Sequence, residues 1–295
     1  MRHAYALSIV LWIVAAMGAI TIFLSSLAKE RVDIAKGIED KLKATLQVQE
    51  SLDLVLFYGS TGKFYLNKII NSHLEDINIA SELYIDGRSV LINESNITLT
   101  DGGALYNLLY PYGDLIAKEL NNEYIAKDSI YDWIDEDIFL KLNGAEDDYY
   151  KQISDDGYEA RDKQAIQDVT ELALIKGVEK EKLEKIKDDF LYTWVIRANL
   201  TTMKPKKIQT ILNIPQIALD ELLQLKEENI IDYIRKINSY TVGNDDFIDL
   251  YSFAPSQSLR VVIQSKVGRA TSKLNATIEL HRKGKERYIY NYKIY

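Results

Sequence analysis

The sequence predicts an α+β fold in which one long N-terminal helix lies on an antiparallel sheet and a large α-helical domain is inserted between the strands. Three observations carry this expectation. An uncharged run opens the chain and continues, without a proline, into an amphipathic segment. Apolar and polar residues alternate in segments before residue 101 and again after residue 240, the period of strands. Between them lie several short stretches with helical spacing.

The opening run, Ala4 to Ala28, carries no charged side chain. Its length of about 25 residues lets a helix cross a hydrocarbon layer of roughly 30 Å. A cleaved secretory signal has a shorter apolar stretch of about 7–15 residues before a small-x-small site. Ser25, Ser26 and Ala28 offer such a site, but the run is long for it. Beyond it, apolar residues recur at Ile34, Ile38, Leu42, Leu46, Leu52, Val55 and Leu56, a helical spacing interrupted by Gly37. One glycine costs about 1 kcal/mol relative to alanine and does not forbid a helix. One rod is therefore expected from near Tyr5 to about Phe57, on the order of 80 Å long, half in lipid and half turning an apolar stripe to a folded domain. The flanking charges nearly cancel: Arg2 and His3 precede the run, while Lys29 and Arg31 follow beside Glu30 and Asp33, so orientation is not set by them.

After Gly59 the segment "SELYIDGRSVLIN" places Asp86-Gly87 between two apolar runs, a hairpin signal. Residues 71–79 read equally as loop or strand. From Gly102 the spacing turns helical in "ALYNLLYPYGDLIAKEL", "SIYDWIDEDIFLKL", "VTELALI", "EKLEKIKDDFLYTWV", "KKIQTILN" and "IALDELLQLKEENIIDYIRKI". Beyond Tyr240, "LRVVIQSKV", "SKLNATIELHRKG" and "ERYIYNYKIY" read as three strands with turns at Gly268 and at Lys283-Gly284-Lys285. Three strands alone bury little, so the early and late strands are expected to share one sheet against the first helix. The helical block is then an insertion. Tyr288, Tyr290, Tyr292 and Tyr295 alternate along the last strand, as core and cross-strand packing would place them. The Asn-x-Ser/Thr triplets at Asn93, Asn96, Asn199 and Asn275 read as chance in an asparagine-rich chain.

Composition removes several functions. A formal net charge of -8 over 295 residues repels phosphate backbones. Two segments, with turns at Gly177 and Pro215, have a helix-hairpin-helix pattern that in DNA-binding modules meets phosphate, but their second helices are rich in Glu and Asp. No nucleic acid is expected. There is no cysteine, and the histidines are only His3, His73 and His281, which leaves little for a zinc site or a triad. Carboxylates crowd "YDWIDED" (Asp132, Asp135, Glu136, Asp137) and "NGAEDDYY" (Glu146, Asp147, Asp148). Clustered carboxylates repel unless solvated, protonated or bridged by a cation, and with no cysteine or nearby histidine the cation that suits them is a hard one such as Ca²⁺, which takes about 6–8 oxygen ligands. The spacing is not that of an EF-hand. No nucleophile, oxyanion donor or cofactor loop accompanies the acids, and no enzymatic activity is expected.

Taken together, "ALSIVLWIVAA" after a very short start, "DWIDED", "GAEDDYY", the hairpin segments containing "LALIKGV" and "ANLTTMKPKKIQTILNI", and the closing "LRVVIQSKVGRATSKLNATIEL" resemble the K-type minor pseudopilin family of the type II secretion system. The resemblance implies a pilin-like long helix packed on an antiparallel sheet, with an inserted α-helical domain holding two helix-hairpin-helix (SAM-like) segments. The implied boundaries are a prepilin leader at 1–4, a transmembrane and spine helix at 5–57, a first β region at 58–101, the inserted domain at 102–238 and the C-terminal strands at 239–295. Prepilin peptidase would cut between Ala4, which stands where the family has glycine, and Tyr5, which would be N-methylated. Ile9 falls where major pseudopilins carry a glutamate and the K type does not. The family implies calcium at carboxylates of the inserted domain, with Asp132, Asp135, Asp137, Glu146, Asp147 and Asp148 as candidate ligands. It implies a bacterial inner-membrane protein with its C-terminal domain in the periplasm, at the pseudopilus tip. Its partners would be the I- and J-type minor pseudopilins and the major pseudopilin, with the secretin or a secreted substrate as further contacts. The competing expectation is a single-pass membrane-anchored acidic binding or sensor domain with no filament role, whose N-terminus stays uncut.

Overall fold

The computed structural model describes residues 2–71, 81–109, 113–120, 123–153, 157–160, 165–242, 249–280 and 287–295. Its first element is α1, Arg2–Thr61, a single helix of 60 residues. Between Val10 and Thr61 it contains a window apolar and long enough to cross a membrane, and that window has no buried residue. Burial begins at Ala44 and continues through Val48, Leu52, Val55 and Tyr58, steps of three and four that define one helix face. Ile34, Ile38, Leu42 and Leu46, expected to pack on the folded domain, stay exposed. Steps of four advance around the helix by about 40° each. That series therefore winds off the packed face; the helix reaches the sheet through Lys41, whose ammonium donates to Thr271 O at 2.7 Å and Tyr295 O at 2.8 Å, and apolar burial starts at Ala44. Gly59 lets the helix approach closely: an added Cβ would lie 2.5 Å from a methyl of Leu280.

A small antiparallel sheet follows, β1 (Lys63–Tyr65), β2 (Lys68–Ile70) and β3 (Glu82–Tyr84). Most of residues 71–79, and the turn expected at Lys283-Gly284-Lys285, lie outside the described residues. Next come β4 (Asp86–Ile92) and β5 (Ser95–Asp101). The hairpin expected at Asp86-Gly87 is not there. Ile85 passes between two sheets, giving its N–H to Asn67 O at 2.8 Å and taking Asp101 N–H at 2.8 Å. Gly87, at φ +87, sits in an irregularity where β4 shifts register on β5. The hairpin turn is instead Asn93-Glu94, with φ of 49° and 64°, joining Ile92 to its partner Ser95. Two successive positive φ values give the turn whose twist suits a two-residue hairpin.

The inserted region carries β6 (Tyr106–Asn107), α2 (Gly113–Glu119), α3 (Glu123–Ile134), α4 (Asp147–Gln152), α5 (Lys180–Ile186), β7 (Phe190–Leu191), β8 (Ala198–Asn199), α6 (Pro205–Leu212), α7 (Gln216–Glu228), α8 (Ile230–Tyr240) and β9 (Tyr251–Ser252). It has two cores. One gathers Ile116, Leu120, Ile130, Trp133, Tyr150 and Leu172; the other gathers Leu200, Ile208, Leu222, Tyr233 and Ile237. Several stretches read as helical are not. Tyr106 and Asn107 form a parallel pair with Phe190 and Leu191, because backbone pairing to a distant strand outweighs local propensity. Asn107 then accepts from Leu109 N–H at 2.8 Å, turning the chain away. In the first hairpin-like piece Val169–Leu174 is a 3-10 helix before Gly177 (φ +83) and α5. In the second, α6 ends on a left-handed Asn213 and α7 starts after Pro215.

The chain closes with β10 (Ser258–Val267), β11 (Ala270–Leu280) and β12 (Arg287–Ile294). All five long strands form one antiparallel sheet in the order β12-β11-β10-β5-β4, with Gly268 in the β10–β11 turn. The whole of residues 102–257 thus lies between two neighbouring strands. The packed face of α1 covers this sheet through Ile97, Leu99, Val261, Ile263, Leu274 and Ile278. Tyr288, Tyr292 and Tyr295, expected to pack as core, are exposed. A register shift beside Asn291, itself at φ 53, breaks the alternation of β12, and this strand is the sheet edge.

Candidate functional site

Most of the acidic candidates lie around one loop of the inserted domain. Helix α3 carries Asp128 and Asp132 one turn apart, and Asp135 closes its end through its N–H on Tyr131 O at 3.0 Å. The chain then loops out and returns at Lys141. The Lys141 ammonium donates to Asp132 at 3.1 Å and to Asp135 at 2.5 Å, and its backbone N–H reaches Asp132 at 3.2 Å. Burial alone would lower this ammonium, but the hydrogen bonds to Asp135 and Asp132 outweigh it and hold it above its ordinary value. Asn143 clasps Asp128 through both its backbone and side-chain nitrogens, at 3.0 and 3.1 Å. Gly144 passes so close to Asp132 that a Cβ there would lie 1.8 Å from a carboxylate oxygen, so only glycine fits.

The six candidates separate into different roles. Asp132 is fully buried and its oxygens are taken by Lys141. Asp147 is engaged by Lys151 at 3.2 Å and by Ala160 N–H at 2.8 Å, tying α4 to the segment after it. Asp148 stands exposed on the first turn of α4. Asp135, Asp137 and Glu146 converge: each offers an oxygen within 4.8 Å of the others. Ligand distances of about 2.3–2.6 Å put two oxygens on one Ca²⁺ at most about 5 Å apart, so this trio has the right span. Asp135 Oδ1 is also buried without a hydrogen-bond partner, while its other oxygen holds Lys141. Asp128, Lys141, Asn143 and Gly144 were not among the candidates; only the loop closure gives them meaning.

Ala4, Tyr5 and Ile9 lie near the start of α1, in its helical backbone.

Residues 115–188 match the family described as type II secretion system (T2SS), protein K. Over that stretch, about a quarter of its length, the chain carries a domain similar to type II secretion protein K. The matched stretch contains all six candidate carboxylates and the lysine and glycine that order them. No curated protein matches the chain. Among solved structures it is similar in fold to a chain of the crystal structure of the GspK-GspI-GspJ complex from the enterotoxigenic Escherichia coli type 2 secretion system. The TM-score is 0.51 at 15% identity, over 91% of this chain and 99% of that one. At that identity the likeness is one of fold. It spans the α+β framework of long helix, antiparallel sheet and further helices described above.

Proposed function

We propose that this K-type protein is a non-enzymatic minor pseudopilin at the tip of a type II secretion pseudopilus, where it initiates assembly and supports export of folded proteins across the outer membrane. The observation that carries the reading is the division of α1: residues 10–28 are apolar and exposed, and its C-terminal part is packed on the sheet from Ala44 to Tyr58. A bare apolar helix rigidly joined to a folded head suits lateral packing of helices in a membrane and then in a filament. The insertion between β5 and β10 adds bulk that a position within a filament would crowd and a tip would accommodate. The partners in this reading are the I- and J-type minor pseudopilins, as in the GspK-GspI-GspJ assembly, with the major pseudopilin below. The secretin or a secreted substrate would touch the exposed head. The head lies in the periplasm and α1 spans the inner membrane once. Prepilin peptidase cuts between Ala4 and Tyr5, and Tyr5 is N-methylated.

The test is intact-mass analysis of membrane-extracted protein with and without co-expressed prepilin peptidase. Loss of Met1 to Ala4 with one added methyl is expected. An uncut N-terminus would favour the anchored acidic domain instead, and a cut near Ala28 would reduce the helix to an export signal. Replacing Ile9 by Lys should abolish filament nucleation, since a charge in the apolar helix is costly at a membrane centre.

Asp135, Asp137 and Glu146 are proposed to hold a calcium ion, which would neutralise the trio and give Asp135 Oδ1 its missing partner. Calcium should then raise the unfolding midpoint of the purified protein over that in chelator, and Glu146→Gln should remove most of that shift. An identical shift in the variant would place the ion elsewhere.

A further inference from the structure

The loop that Lys141 pins presents apolar side chains to solvent. Ile138 is 84% exposed, Phe139 78%, Leu140 63% and Leu142 93%. Outside α1, no other stretch of described residues bares three consecutive large apolar side chains. A monomer keeps such surface only at a cost in solubility, and contiguous apolar exposure marks interaction sites.

The loop is also held in shape. Phe139 N–H bonds back to Asp137 at 2.8 Å, Lys141 is clamped to Asp132 and Asp135, and Asn143 is clamped to Asp128. A projecting segment fixed at both feet loses little freedom on docking. Its surroundings are acidic: Asp135, Glu136 and Asp137 precede it and Asp148 follows close by, while Asp147 is paired with Lys151 and the one lysine within the loop is turned inward to Asp132 and Asp135. A divalent ion at the acidic trio would leave this collar negative. An acidic collar is repelled by anionic lipid surfaces and attracted to basic ones.

We propose that residues 138–142 form a docking knob for a partner protein that offers an apolar helix face flanked by lysine or arginine, with Phe139 and Leu142 as its anchors. An aromatic at the centre of a small patch, ringed by charge, is the arrangement in which few residues carry most binding energy. Nothing in this depends on where the chain sits in a filament.

The chain has no cysteine, so Leu142→Cys allows one environment-sensitive fluorophore to be attached at the knob of the full-length protein in detergent. The probe is an amphipathic helical peptide with a leucine face and a lysine face. A saturable blue shift is expected, weakened by salt. By anisotropy of the labelled peptide, the cysteine-free protein should bind it, and Phe139→Ser with Leu142→Ser should weaken that binding by about tenfold or more. Both side chains are exposed, so this double variant should keep its unfolding midpoint. The same peptide with glutamate in place of lysine should not bind. The proposal is overturned by absent binding, by equal binding of the double variant or the glutamate peptide, or by a blue shift with phosphatidylcholine–phosphatidylglycerol vesicles in place of the peptide.

Discussion

Among the described residues two aspartates are fully buried, Asp101 and Asp132, and they are stabilised in opposite ways. Asp132 meets a cation, Lys141, from a loop nine residues on. Asp101 meets none. It stands at the end of β5, where the chain leaves the sheet, and collects five donors: Asn199 Nδ2 at 2.5 Å, Thr202 Oγ1 at 3.0 Å, Gly103 N–H at 3.3 Å, Ser256 N–H at 3.0 Å and the Ser256 hydroxyl. These come from the start of the insertion, from its interior beside β8, and from its return to β10. One carboxylate thus fastens the root of the insertion to the sheet, while the other shapes a local surface loop. Burial raises the Asp101 pKa even though the bonds from Ser256, Asn199, Gly103 and Thr202 pull it down. Dipoles can stand in for a counter-charge, but they leave a residual penalty.

The comparison breaks most readily at Asp101. Asp101→Ala orphans donors from three segments at once and should cost roughly 3 kcal/mol or more in denaturant unfolding. It should also separate melting of the insertion from that of the sheet; a single undiminished transition would show that the root is held by other contacts. Asp132→Ala should cost less, about 2 kcal/mol, because Lys141 is partly exposed and can turn to water. Its distinctive readout is faster hydrogen exchange at Lys141 and Asn143, with the sheet unaffected.

A pH series sharpens the contrast. A carboxyl whose folded pKa lies above its unfolded value contributes stability that is fully present below the unfolded pKa and is lost as pH rises through the folded one. The stability of the wild type relative to Asp101→Asn should therefore fall as pH rises above the ordinary value of 3.8, by at most about 1.4 kcal/mol per pH unit. An opposite slope would mean the five donors outweigh burial. The smallest effect is expected at Glu279, which takes Tyr290 Oη at 2.5 Å, Thr193 Oγ1 at 3.2 Å and Trp194 N–H at 3.1 Å on one oxygen. Glu279→Gln keeps that oxygen and should cost about 1 kcal/mol in the same unfolding assay.

The contrast also explains what could be read in advance. Asp132 sits in "DWIDED", where acids cluster in sequence and announce themselves. Asp101 is a lone acid in "TLTDGG", and nothing nearby hints at Asn199, Thr202 or Ser256, about 100 and 155 residues away. Even within the acidic cluster, sequence could name six carboxylates but not divide them, because the division depends on where Lys141 returns. Asp86-Gly87 and Asn93-Glu94 make the same point: both suit a turn, and partner strands decide which one turns.

By itself the sequence determined the long N-terminal helix with its uncharged run, the α+β class, the strands at both ends of an inserted helical block, and a chain without cysteine. These follow from local periodicity and composition, which each segment carries alone. Only the tertiary structure decided which face of α1 is buried, that the last strand is an exposed edge, which three carboxylates converge, and that Ile138 to Leu142 stand clear of any core. Each of those depends on contacts between residues far apart in the chain, and burial is a property of the neighbours a residue acquires rather than of the residue itself.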